Sequence, residues 1–197
     1  LEGVERITDD SYSRTFRTGN TQGFFTVRDV PERSTLALAI DCDNIRCFME
    51  IHNRVRRMFD LDTDFSAINA LFAADPILSR GMANGHTPRL PLAFDAFEFA
   101  IRAVLGQQIT VKAATTLAGR IARAAVITAD ESFPQGLDVF FPTPEELLML
   151  DLSGLGLTST RQQTVRNVAK SVVDKTVRLT ANQPFEHFYR DFTAIKG

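Results

Sequence analysis

The sequence predicts an α+β protein: an N-terminal antiparallel sheet with covering helices, followed by an all-helical region. Three observations carry this. The first ~40 residues alternate between apolar and polar with the period of a strand. After Asn44 the apolar residues recur at the three- and four-residue spacing of a helix. The stretch "NGHTPRLP" then brings Asn, Gly and two prolines together, and helical patterning alone follows it. The expected organisation is an α+β domain over residues 1–88 and a helical domain over residues 89–197.

Within the alternating part, "SYSRTFRT" places Tyr12, Arg14, Phe16 and Thr18 on one side of a strand. "GFFTVRDV" and "STLALAID" follow, rich in Phe, Val, Leu and Ile. Between them lie "GNTQG" and "VPERS", which are turn material, so the reading is a meander with Pro31 in a turn. "NIRCFMEIHNRVRRMF" sets Ile45, Phe48, Ile51, Val55 and Phe59 on one stripe of an amphipathic helix that can cover the sheet, with Asn44 as its cap. Arg54, Arg56 and Arg57 read as the solvated face of that helix, with phosphate contact as the alternative. Residues 64–82 suggest two short helices split at Asp75-Pro76.

In the second half, "FDAFEFAIRAVL" carries Phe94, Phe97, Ile101, Val104 and Leu105 on one stripe. Asp95 with Glu98 resembles a capping box, and Gly106 is the expected helix stop. Thr110 can cap the next helix, where Ala113, Leu117 and Ile121 repeat every fourth residue. "PTPEELLMLDLSGLGLTSTRQQTVRNVAKSVV" gives two further helices parted at Gly154-Leu155-Gly156, with Ser159 or Thr158 capping the second. "PFEHFYRDF" makes a short last helix leading into "TAIKG".

Composition narrows the function classes. Hydrophobic residues make up 44% and charged residues 23%, enough to bury a core. The net charge of -2 lacks the basic excess of a nucleic-acid binder, so any such binding must come from local features. No apolar run is long enough to span a bilayer and no leader pattern opens the chain, so a cytoplasmic location is expected. Cys42 and Cys47 build no disulfide framework and lack zinc spacing; they read as two partly buried thiols. His52, His86 and His187 are far apart in sequence and show no metal-ligand spacing. No nucleophile elbow, phosphate-binding loop or dinucleotide fingerprint is present.

One stretch resists a purely architectural reading. "VLGQQITVKAATTL" sets Gln107 and Gln108 at the joint between two core helices. Burying two amides without partners would cost several kcal/mol. They must therefore point outward or into a polar network. Either they tie two helices together, or they form a polar probe suited to the donors and acceptors of a base pair.

"PLAFDAFEFAIRAVLGQQITVKAATTLAGRIA" resembles the core motif of the DNA-3-methyladenine glycosylase II family, within the helix-hairpin-helix glycosylase superfamily. The likeness continues through "FPTPEELLMLDLSGLGLTSTRQQTVRNVAKSV" to "FTAIKG", which is similar to the first half of that family's hairpin. "DSYSRTF" and "RRMFDLD" extend it into the sheet region. The ordered pair "LGQQI" and "GLGLTSTRQQ" is its most specific part.

The resemblance implies an accessory sheet domain and a helical glycosylase core. Such a protein binds duplex DNA in the minor groove, kinks it and flips an alkylated purine such as 3-methyladenine into a pocket, where the N-glycosidic bond is hydrolysed. Gln107 and Gln108 fall on the loop that plugs the vacated stack, Gln108 at the wedge position, which relatives often fill with an apolar residue. Thr193 to Gly197 fall at the start of the hairpin, making Ile195, Lys196 and Gly197 expected phosphate contacts. Lys196 stands where many relatives carry proline. A monovalent metal ion bound by main-chain groups of the hairpin is implied as a structural element, with no cofactor for catalysis. The family's catalytic Asp and the aromatic pocket walls have no counterpart in this sequence and are expected outside residues 1–197. The chain is therefore expected to be a fragment that is inactive by itself. Alkylated double-stranded DNA is the expected partner, with no membrane and a monomeric state. The competing readings are a non-catalytic DNA-binding module and the glycosylase portion of a bifunctional alkylation-response regulator.

Overall fold

The structure is a computed structural model, described for residues 1–197 except 130, 181 and 197. The chain divides into two compact units: residues 1–47 together with 95–197, and residues 48–94. The sheet thus packs in one unit with the helical half, a division that differs from the sequential one expected at residues 88 and 89.

The first unit opens with a four-stranded antiparallel meander in the order β1-β2-β3-β4. β1 is Glu5–Ile7, β2 Ser11–Thr18, β3 Thr21–Val30 and β4 Thr35–Cys42. β1, three residues long, is too short to show a period and was not expected from sequence; it forms by pairing Glu5, Arg6 and Ile7 with Arg14, Ser13 and Tyr12. The first turn is tighter than "GNTQG" suggested. Thr18 already pairs with Thr21, leaving only Gly19 and Asn20 outside the strands, with Gly19 at φ +55. β3 buries Thr21, Gly23, Phe25 and Val27, the alternation of a strand with one covered face. β2 differs: Ser13, Arg14, Thr15 and Phe16 are all buried, so its middle is covered on both faces.

The covering material comes from the helical half. Thr15 Oγ1 donates to the Val139 carbonyl at 2.9 Å. Arg17 makes two bonds to the Glu146 carboxylate, at 2.8 and 2.6 Å, and a third to the Phe141 carbonyl. The helices are α3 (Ala96–Gly106), α4 (Val111–Ala124), α5 (Pro144–Met149), α6 (Ser159–Val173) and α7 (Phe185–Thr193). Their core centres on Ile101, Leu105, Ile121, Leu147, Leu152 and Val165, all fully buried. Each such side chain contributes about 1.5–3 kcal/mol when removed from water.

The caps follow the expected residues, with one departure. Thr110 accepts from Ala113 N, and Thr158 from Arg161 N. Thr143, which was not singled out from sequence, forms a complete capping box with Glu146. Asp95 accepts from Glu98 N at 2.8 Å, but the Glu98 carboxylate does not return to the cap. It turns instead to Arg14 Nη2 at 2.5 Å and Arg102 Nη1 at 3.1 Å. A charged partner outcompetes a neutral backbone amide for a buried carboxylate.

The second unit holds α1 (Phe48–Met58), α2 (Ser66–Ala74) and a 3-10 turn over Leu78–Gly81. Asn44 Oδ1 accepts from Arg46 N, so it caps the short 3-10 turn that precedes α1. Of the expected stripe, Ile51 and Val55 are buried, while Ile45 and Phe48 are exposed. Arg54 pairs with Glu50 and Arg56 with Asp62, which makes these arginines part of a solvated, paired face. The Pro- and Gly-rich stretch after residue 83 is held by side chains. Asn69 Oδ1 accepts from both Thr87 N and Thr87 Oγ1, and Asp60 Oδ2 accepts from Leu90 N.

Candidate functional site

The Gln pair sits at a sharp corner between α3 and α4. Gln107 is the C-cap of α3, its N–H bonded to the Val104 carbonyl. The left-handed residue of the corner is Gln108, at φ +59; Gly106, the expected stop, is the last residue of the helix itself. A non-glycine residue in this region costs of order 1 kcal/mol and persists where its surroundings impose it. Here Ile109 packs against the helical core on one side of Gln108 and Thr110 caps α4 directly after it. The chain has only those few residues in which to reverse, and the strain falls on Gln108.

Both amide side chains are exposed. Neither has a hydrogen-bond partner among the described residues, so the pair forms no tie between the two helices. The network that would have made it architectural is absent there, and the amides face outward from a fixed backbone.

That backbone is fixed by α6. Arg161 Nη2 donates to the Gln107 carbonyl at 2.7 Å. Six residues on, about 9 Å along the helix, Asn167 Nδ2 donates to the Lys196 carbonyl at 2.6 Å. Gln163 Nε2 donates to Asn167 Oδ1 at 2.8 Å, which settles the orientation of the Asn167 amide. One helix thus braces both segments the sequence singled out: the Gln corner through Arg161 and the chain after α7 through Asn167. Ile195 packs on the helical core, and Lys196 is exposed. Gly197 lies outside the described residues. A cleft of about 530 Å³ opens between these segments, lined by Val104, Gln107, Thr160, Arg161, Phe192 and Ile195 among others. Its described lining contains threonine hydroxyls and a guanidinium but no carboxylate.

Arg161, Gln163 and Asn167 were not singled out from sequence. Arg161 and Gln163 stand inside or beside the specific segment "GLGLTSTRQQ", and the "RQQ" run on a helix N-terminal half was the available signal. A second charged group lies elsewhere in the unit. Arg14 and Glu98, with side chains 5% and 4% exposed, form a 2.5 Å ion pair that Glu5 and Arg102 extend. Burial alone would raise the Glu5 carboxyl, but foremost the Arg14 guanidinium, with the Tyr12 hydroxyl, opposes it, and Glu5 is held at about 2. Burial, foremost, raises Tyr12. Among the described residues no group of three or more His, Cys, Asp or Glu side chains could hold a metal ion.

The sheet packed with five helices is a fold shared with DNA glycosylases of known structure. A 3-methyladenine DNA-glycosylase from Archaeoglobus fulgidus superposes with a TM-score of 0.78 at 18% identity, over 98% of this chain and 66% of that one. An 8-oxoguanine glycosylase/lyase from Clostridium acetobutylicum, solved with double-stranded DNA, gives 0.66 at 13% identity over 98% and 73%. Residues 1–95 match the AlkA N-terminal domain family. The whole chain is 32% identical, over 197 residues, to a Mycobacterium tuberculosis protein described as a probable bifunctional transcriptional activator/DNA repair enzyme AlkA, of which it spans 39%. It is 28% identical, over 200 residues, to DNA-3-methyladenine glycosylase 2 of Escherichia coli, of which it spans 68%. The chain is thus homologous to AlkA and to DNA-3-methyladenine glycosylase 2 over part of their lengths.

Proposed function

We propose that this chain is the DNA-gripping and gap-filling part of a base-excision repair glycosylase that removes alkylated purines. The carrying observation is the corner itself: two exposed amides on a backbone held by Arg161, Gln108 in a left-handed conformation that aims its side chain outward. A flipped base leaves a gap in the stack, and filling it with a rigidly held side chain offsets part of the unstacking cost of a few kcal/mol. An amide can also bond the base left without its partner. The segment through Ile195, Lys196 and Gly197 would grip a neighbouring phosphate through backbone N–H groups, with Lys196 adding a direct contact. This lets a chain of net charge -2 bind DNA by a few aimed dipoles.

The same segment fits the monovalent ion of this fold. Such an ion takes hard oxygen donors, and the exposed Lys196 carbonyl accepts one bond from Asn167 with a second lone pair remaining. Bound there, the ion would place a positive charge against a phosphate. The chemistry of bond cleavage belongs to an acid outside the described residues of the cleft, whose lining offers hydroxyls and Arg161. Residues 1–197 alone are accordingly inactive in this reading, and the working unit is a monomer on duplex DNA.

The likeness to the Mycobacterium tuberculosis protein, whose length is well over twice this chain's, favours a second reading: this region is the glycosylase portion of a bifunctional regulator. Both readings are tested by base release from methylated duplex DNA by the full-length protein. Release is expected, with Gln107→Ala/Gln108→Ala cutting it tenfold or more and weakening lesion binding by about 1.4 kcal/mol. Unchanged turnover and affinity in that variant would remove the gap-filling role. No release by the intact protein would remove the enzyme reading.

A further inference from the structure

We propose that Cys42 and Cys47 form a thiol–disulfide site, a dithiol that closes to a disulfide on reaction with small-molecule disulfides. The proposal stands apart from the DNA-binding reading. Cys42 ends β4, and Cys47 ends the 3-10 turn that follows. Their sulfurs lie 3.1 Å apart. A disulfide needs about 2.05 Å, so roughly an ångström of movement separates the pair from the bond.

Three further features make the pair more than two neighbouring thiols. Cys42 Sγ also donates to the Asn44 carbonyl at 3.2 Å. A thiol has one hydrogen, so with Cys42 committed to Asn44 the S–H that points along the sulfur–sulfur line is that of Cys47. The two thiols also differ in access: Cys42 is half-buried, while Cys47 is 5% exposed. Reagents meet Cys42 first, and Cys47 is the second thiol, buried behind it. Finally, Gly23 sits opposite Cys42 in the β3–β4 register, and a Cβ there would lie 2.6 Å from the Cys42 Cβ. The bare glycine is what allows Cys42 its place.

The chemistry balances as two exchanges. The Cys42 thiolate attacks one sulfur of RS–SR, forming Cys42–S–SR and releasing RS⁻. Cys47, its proton lost to solvent, attacks the Cys42 sulfur, forming Cys42–S–S–Cys47 and releasing the second RS⁻. Both leaving thiolates take up protons, so one small disulfide is reduced to two thiols as the protein disulfide forms. The product closes a loop of six residues at the exit of β4.

The test treats the 197-residue chain with oxidised glutathione and follows free thiols, intact mass and the linked peptide after digestion. The expected result is loss of both free thiols, a mass decrease of about 2 Da for two hydrogens, a peptide joining residues 42 and 47, and reversal by dithiothreitol. Cys47→Ser should stop at the glutathione adduct on Cys42, and Cys42→Ser should react at least tenfold more slowly than wild type. Gly23→Ala, which displaces Cys42, should slow closure at least as much. A wild-type chain that stops at the adduct, forms only disulfides between chains, or stays reduced overturns the proposal.

Discussion

The two ends of α3 treat polar side chains in opposite ways. At its start, Glu98 is buried and bonded to Arg14 and Arg102. At its end, Gln107 and Gln108 are exposed and their amides meet nothing among the described residues. Nine residues, about 13 Å of helix, separate a polar group that builds the protein from one that is left unpartnered among the described residues. The difference separates what stability dictates from what it leaves open. A buried charge must be satisfied, so its partners are dictated by stability. An exposed amide on a strained, braced backbone satisfies no internal need, which leaves it free for the gap-filling role proposed for it.

The sharpest way to break this comparison is at the buried end. Arg14→Met leaves the Glu98 and Glu5 carboxylates without their shared partner in a nearly dry setting, and removing one side of such a pair costs about 3–5 kcal/mol. Thermal unfolding should fall by about 10 °C or more. The double variant Arg14→Met/Glu98→Leu should be more stable than Arg14→Met alone, since no uncompensated charge remains between those two positions. Gln107→Ala/Gln108→Ala should change stability by less than about 0.5 kcal/mol. A destabilised Gln variant with an unaffected Arg14→Met would invert the assignment of the two ends.

Acid probes the same end without mutation. Glu5 ordinarily titrates near 4.5 and is held at about 2 in the folded chain. A depressed carboxyl contributes stability above its unfolded value and loses it as pH falls through the folded one. The contribution, roughly 3 kcal/mol from a shift of this size, is present above pH 4.5 and drains away between 4.5 and 2. Urea midpoints taken at pH 6 and pH 3 should show this loss, and Glu5→Gln should flatten the difference between them.

How much of this contrast was legible in the sequence depends on whether the cause was local. The three longer strands, the helices and the Thr110 and Thr158 caps follow period and cap chemistry within a few residues, and they were readable. The Gln pair could be located by its position between two apolar stripes. Arg14 was placed on a strand face but not in an ion pair, because Glu98 lies 84 residues away. The same distance effect hid the incomplete box at Asp95, where a remote guanidinium took the carboxylate. Arg161 and Asn167 went unnoticed because their partners are main-chain carbonyls, which carry no residue signature. The compact units follow spatial packing rather than sequence order, with the strands and the later helices in one unit.

The smallest effect tests the exposed end by its backbone. Gly106 was the expected helix stop, yet it keeps ordinary helical geometry, and the left-handed turn falls on Gln108. A Cβ on Gly106 would meet the Ala114 Cβ at 3.8 Å, an ordinary contact. Gly106→Ala should therefore gain the helix-interior advantage of alanine and reduce the freedom of the unfolded chain, together about 0.5–1 kcal/mol. The unfolding midpoint should rise by about 2 °C. The amides should stay where they are, since Arg161 and Ile109 hold the corner from either side. A fall in midpoint instead would mean that residue 106 itself needs glycine's freedom, and the rigidity attributed to the corner at Gln108 would have to be relocated two residues earlier.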